Sequence, residues 1–139
     1  MAYTVDRVNV WAGAVEDRPG GVAGILGILA QAGANLEFAI ARRDQPGTGV
    51  IFVSPLKGAA QTKAAKKAGL SKAKSLHSLR VEGSDKPGLG AEVTRAIANA
   101  GINMRGISAA ARGRRSVVYF AFDSLGEANK ARRVLKRLL

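Results

Sequence analysis

Two short segments hold the residues best suited to bind a small molecule: Asp17-Arg18-Pro19-Gly20 and Asp85-Lys86-Pro87-Gly88. Each sets a carboxylate, a cation and a proline–glycine pair directly ahead of an apolar pattern with helical spacing. The first turn of a helix has backbone N–H groups without intrahelical acceptors and the positive end of the helix dipole, which suits an anion such as a carboxylate. Glycine at that point lets a ligand come close to the backbone. Other chemistry is sparse. There is no cysteine, hence no thiol nucleophile, disulfide or thiolate metal site. The single histidine, His77, lies in a strand-like run with no triad or ligand set around it. The glycine-rich run Gly20–Gly27 lacks the Gly-Lys-Ser/Thr ending of a phosphate loop. The sequence predicts no catalytic residue, no metal ligand and no cofactor: a binding protein rather than an enzyme.

The two segments belong to an internal repeat. The offset of 68 residues holds without a gap from Asp17 through Asn35 and from Asp85 through Asn103, with eight identities over the twenty positions Asp17–Leu36 and Asp85–Met104. A repeat of this period in a chain of 139 residues means two copies of one small unit. The expected division is a first module over residues 1–70 and a second over 71–139.

The elements that position these segments follow from periodicity. Val8–Val15 and Ser75–Gly83 are apolar runs read as strands. Proline then fits the first turn of a helix. Val22, Ile25, Leu26 and Leu29 in copy one, and Val93, Ala96, Ile97 and Ala100 with Leu89 in copy two, each describe one buried helical face. Both helices are expected to stop at a glycine, Gly33 or Gly101. Leu36, Phe38 and Ile40 are expected to alternate inward along the next strand. In copy two, Gly106 and Ser108 predict a bulge or register shift at that place. Return strands follow at Gly49–Ser54 and Ser116–Phe122, then an alanine-rich helix at Gly58–Ala68 and a helix opened by Ser124 with Glu127 three residues on, a capping-box pattern. Each copy thus reads βαββαβ, an α+β, ferredoxin-like antiparallel sheet with both helices on one face. Copy two runs out of chain before a fourth strand, so the N-terminal segment is expected to complete it.

The copies differ. Gly20, Gly24, Gly27 and Gln31 form one stripe on the first helix, where copy two has Gly88, Glu92, Arg95 and Asn99. Each interior glycine costs a helix about 1 kcal/mol against alanine, so the stripe predicts a close helix–helix contact, between repeats or between chains.

Net charge is +12, concentrated in Lys57–Lys74, Arg105–Arg115 and Lys130–Arg137. Such a balance favours solubility and attraction to polyanions without naming a partner. No segment reads as a signal or a membrane span, so a cytoplasmic protein is the expectation.

Strand, Asp-Arg-Pro-Gly-Gly, amphipathic helix, Ala-Gly-Ala-Asn-Leu, strand: this order resembles the ACT domain family, and Asp-Lys-Pro-Gly-Leu with Ala-Gly-Ile-Asn-Met resembles it again in copy two. The resemblance spans nearly the whole chain and implies a stand-alone tandem ACT protein, similar to the paired regulatory modules of aspartate kinases without the catalytic part. It implies amino-acid binding near the first strand–helix loops, commonly where modules meet. Carried over, the ligand-binding residues are Asp17, Arg18, Pro19, Gly20, Gly21 and Asn35 in copy one. In copy two they are Asp85, Lys86, Pro87, Gly88, Leu89 and Asn103. It also implies a homo-oligomer, a dimer; an alternative reading is a pure interaction module, an adaptor that regulates a metabolic enzyme in trans. The first copy, with Gly21 and the glycine stripe, is the better candidate if only one site binds.

A second reading is a nucleic-acid-binding protein. RNA-recognition motifs share the βαββαβ order, and Arg115–Phe122 carries Tyr119 and Phe122 at two of their aromatic positions. Ser116 and Val117 replace that signature's glycine and first aromatic, and copy one has Ile51 and Ser54 in place of the aromatics.

Overall fold

A computed structural model describes residues 3–73 and 76–139. The elements in chain order are β1 (Thr4–Val8), β2 (Trp11–Glu16), α1 (Gly21–Gln31), β3 (Phe38–Gln45), β4 (Thr48–Ser54), α2 (Gly58–Lys67), β5 (Ser71–Lys72), β6 (His77–Ser84), α3 (Leu89–Asn99), β7 (Gly106–Arg112), β8 (Arg115–Phe122) and α4 (Leu125–Leu138). They form two compact units, Asn9–Ala73 and Met1–Val8 with Lys74–Leu139. Each is a four-stranded antiparallel sheet with two helices.

In the unit Asn9–Ala73 the strand order is β3-β4-β2-β5. Alternation sends Trp11, Val15, Ile51 and Val53 to one face, where they meet Ile25 and Leu29 of α1 and Ala65 of α2. Fully burying a side chain of this kind contributes about 1.5–3 kcal/mol. Leu36 packs on this core from the connection before β3. Phe38 and Ile40 do not turn inward. They lie opposite Ser54 and Phe52, between the core-facing positions Val53 and Ile51, and so occupy the other face of the sheet, half-buried. The register shift also falls in this unit, between Arg43 and Gln45, whereas β7 pairs with β8 in unbroken register. The extra residue sits beside the tight Gln45–Thr48 turn, where Gly47 has φ 88°. Gly106 and Ser108 cause no shift because β8 offers β7 a continuous partner.

In the other unit the order is β1-β6-β8-β7. The N-terminal strand β1 pairs antiparallel with β6 from Thr4↔Glu82 to Val8↔Ser78. Tyr3 lies over Gly83, where a Cβ would come within 2.3 Å of the ring, and its hydroxyl donates to the Ser84 carbonyl at 2.6 Å. An aromatic laid over a strand glycine restores packing that the glycine lacks. From α4, Arg132 Nε donates to the Val5 carbonyl at 3.1 Å, covering part of the β1 edge. The core joins Val5, Leu79, Val81, Val118, Phe120 and Phe122 of the sheet to Leu89, Val93 and Ile97 of α3 and Ala128, Ala131 and Leu135 of α4. The α4 N-cap has the expected form: Ser124 Oγ accepts from the Glu127 N–H at 3.1 Å.

Within a single chain the glycine stripe makes no close contact, which leaves a contact between chains as the expected alternative. A Cβ built at Gly24 or Gly27 meets nothing within 4 Å. No helix among the described residues is long and apolar enough to cross a membrane.

Candidate functional site

The Asp-basic-Pro-Gly segments are turns before they are helix starts. Gly20 has φ 88° and ψ −9°, Gly88 has φ 82° and ψ 0°, and both helices begin only at the next residue. The Gly21 N–H donates to the Arg18 carbonyl at 3.0 Å, and the Leu89 N–H to the Lys86 carbonyl at 3.3 Å. Proline second and glycine third, with that glycine at positive φ, define a type II turn. Pro19 and Pro87 therefore lie ahead of the N-cap, not in the first helical turn. The turn demands these prolines and glycines whether or not a ligand binds. Neither helix start has a side-chain cap.

The copies part at the residue after the turn. A Cβ at Gly21 would come within 2.1 Å of the Glu16 carbonyl oxygen, so the turn lies hard against the end of β2 and leaves no room for a side chain. In copy two the same position is Leu89, buried in the core. Copy one thus has no residue to seat the start of α1, and Val22 stays 39% exposed instead of joining the buried face. Below it the strands offer Val15, Ala41 and Gly49. The result is a cleft of about 420 Å³, lined by Val15, Glu16, Asp17, Arg18, Pro19, Val22, Ala41, Arg42, Arg43 and Gly49.

The cleft has an apolar floor and a charged rim. Arg43 Nε donates to Asp17 Oδ2 at 2.5 Å, and this hydrogen bond with its charge attraction holds the guanidinium above its ordinary pKa. Arg18 pairs with Glu16. Arg42 lies opposite Val50, on the same face of the sheet as Phe38 and Ile40, and borders the cleft only from the strand between Ala41 and Arg43. Carboxylates and guanidinium groups on one rim suit a molecule that carries both signs of charge, and the floor of Val15, Val22, Ala41 and Gly49 suits a short apolar group.

Of the residues expected at this site, Asp17, Arg18 and Pro19 line the cleft, with Gly20 and Gly21 shaping its edge from the backbone. Asn35 lies elsewhere. It follows α1, whose eleven residues span about 16 Å, and precedes β3, whose first residue is level with Ser54 while Arg43 is level with Gly49. Asn35 is therefore at the opposite end of the unit. By the same topology Asn103 is at the opposite end of its unit from Asp85–Leu89. In that second loop, Lys86 Nζ pairs with Glu92 at 3.0 Å, which raises the lysine pKa, and the Asp85 N–H donates to the Arg114 carbonyl at 2.8 Å. Alanines stand at the places of Arg42 and Arg43, Ala110 and Ala111 by the offset of 68. Sequence reasoning missed Val22, Ala41, Arg42, Arg43 and Gly49 as lining residues. The signal for the arginines was the contrast with Ala110 and Ala111.

Tyr119 and Phe122 make no stacking platform. Phe122 is fully buried in the core, and Tyr119 points to the other face of the sheet. Among the described residues no group of three or more His, Asp or Glu could hold a metal ion.

Comparison with known proteins agrees with the architecture. The pattern of the ACT domain matches residues 14–68 and again 77–139. No curated protein sequence matches. Among solved structures, a protein from Bacteroides thetaiotaomicron superposes with a TM-score of 0.81 at 15% identity, over 96% of this chain and 90% of that one. The ligand-free regulatory subunit of aspartate kinase from Thermus thermophilus gives 0.67 at 18% identity, over 99% and 96%. Aspartokinase III of E. coli, in complex with lysine and aspartate, gives 0.56 at 15% identity, over 99% of this chain and 32% of that one.

Proposed function

The chain belongs to the ACT domain family, and from that premise we propose that it is a non-catalytic regulatory protein whose ligand is an amino acid bound in the cleft of the unit Asn9–Ala73. The observation that carries the proposal is the composition of that cleft. Arg18 and Arg43, the guanidinium groups at the cleft rim, take the α-carboxylate. Glu16 and Asp17 accept from the α-ammonium group, and the floor of Val15, Val22, Ala41 and Gly49 takes a small apolar side chain. The similarity to aspartate kinase regulatory subunits supports the same reading at the level of fold.

The second loop lacks these features: Leu89 is in the core, Lys86 is paired and Ala110 and Ala111 replace the arginines. One ligand per chain follows. We propose further that the protein works in the cytoplasm as a homodimer and regulates a metabolic enzyme in trans. Edge strands β3 and β7 offer unpaired backbone groups for such association.

A thermal-shift screen of the common amino acids tests the proposal. A true ligand stabilises by about 2.7 kcal/mol at a hundredfold excess over its Kd. No shift with any amino acid overturns it.

A further inference from the structure

The cleft uses little of the positive charge that sets this chain apart, and the greater share of that charge lies in the other unit. There the topology gathers cations at one end. β6 finishes at Ser84, β7 finishes at Arg112, β8 starts at Arg115, and α4 runs back along β8 so that its last turn returns to the same end. Three observations tie that end together: the Asp85 N–H donates to the Arg114 carbonyl, the Tyr3 hydroxyl to the Ser84 carbonyl, and Lys136 shares a hollow with Tyr3, Thr4, Val5, Asp6 and Leu139.

Arg112, Arg114, Arg115, Lys136 and Arg137 are all exposed there. Arg115 pairs with Glu82 at 3.2 Å, while the other four have no ion-pair partner among the described residues. Of the carboxylates nearby, Asp6 pairs with Arg80 and Glu82 with Arg80 and Arg115, and Asp85 has no ion pair among the described residues. The helix dipole accounts for a cation or two in the last turn of α4, at about 0.3–1 kcal/mol each. It does not account for the hairpin arginines. Within α4 the pairs Arg132/Lys136 and Arg133/Arg137 set like charges four apart, which weakens the isolated helix.

We propose that this end of the unit binds the phosphate backbone of a nucleic-acid duplex, independently of base sequence. Guanidinium groups match phosphate oxygens in pairs. Tyr3, the aromatic at this end, is committed to Gly83 and to its hydroxyl bond, so bases have no platform to stack on and the contact is with phosphates. This site is separate from the amino-acid cleft and stands or falls without it.

The test is fluorescence anisotropy of the full chain with a labelled random-sequence DNA duplex. Between about 50 and 200 mM salt the affinity should fall on the order of 100-fold, as expected for about four phosphate contacts. The double substitutions Arg112→Gln/Arg114→Gln and Lys136→Gln/Arg137→Gln should each weaken binding by roughly tenfold or more at the lower salt and reduce the log–log salt slope by about 2. Lys63→Gln/Lys66→Gln, the same charge change on α2, should leave affinity within about threefold. All four target side chains are exposed, so the variants should melt as the parent does. The proposal is overturned by no binding at the lower salt, by equal weakening from the α2 variant, or by tighter binding to single strands or anionic lipid vesicles than to the duplex.

Discussion

At the scale of single residues, the decisive difference between the copies is Gly21 against Leu89. The turn before each is the same, but in copy one its closeness to the Glu16 carbonyl excludes any side chain, and the cleft opens as a consequence. Gly21→Ala should therefore destabilise the protein by about 1–3 kcal/mol, measured by chemical denaturation, because the Cβ forces the turn off the end of β2. Gly88→Ala should cost about 1–2 kcal/mol for a different reason, its φ of 82°, with open space around the added methyl. Arg43→Ala should abolish the amino-acid-induced thermal shift with little change in the melting of the free protein, since its pair with Asp17 is at the surface. The sequence makes the start of each helix legible to within a residue or two, but not the type II turn that sets the prolines ahead of the N-cap. The cleft is not legible in the same way. Val22, Ala41 and Gly49 come together only through strand pairing, and the size of the space depends on what is missing beneath Val22.

At the scale of elements, periodicity places four helices and their strands well because each has one face to bury. It misleads where an element lies at the rim of the core. Phe38 and Ile40 alternate as a buried strand should, but β3 is an edge strand and alternation alone does not say which face meets the helices. The α1 glycine stripe is open within a single chain. With nothing within 4 Å of the built Cβ atoms, Gly24→Ala and Gly27→Ala should each stabilise the protein by up to about 1 kcal/mol, read from the thermal midpoint. A loss of stability, or a change in size-exclusion behaviour, would instead reveal a close contact of that face in an assembly. The N-terminal strand gives another element-scale expectation. Tyr3→Ala removes the ring over Gly83 and the bond to Ser84, so hydrogen-exchange protection should fall across β1 and β6 and hold in β2–β4. Equal loss in both sheets would contradict the pairing as described.

At the scale of the whole molecule, duplication has supplied two units of one architecture that have since diverged in charge and in the residues around the first loop. One unit has a cleft with both signs of charge over an apolar floor; the other has a sealed core beneath the same turn and a basic end. The resemblance of both copies to ACT domains is legible from the repeated turn and the asparagine eighteen residues after it. Their inequality as binding sites is not, because it rests on Leu89 joining a core and on arginines brought level with Asp17 by a strand twenty-odd residues away. The most direct test of the account is calorimetric titration of the amino acid that gives the largest thermal shift. The account predicts one equivalent bound per chain and no heat of binding in Arg43→Ala. Two equivalents per chain, or unchanged binding in Arg43→Ala, would contradict it.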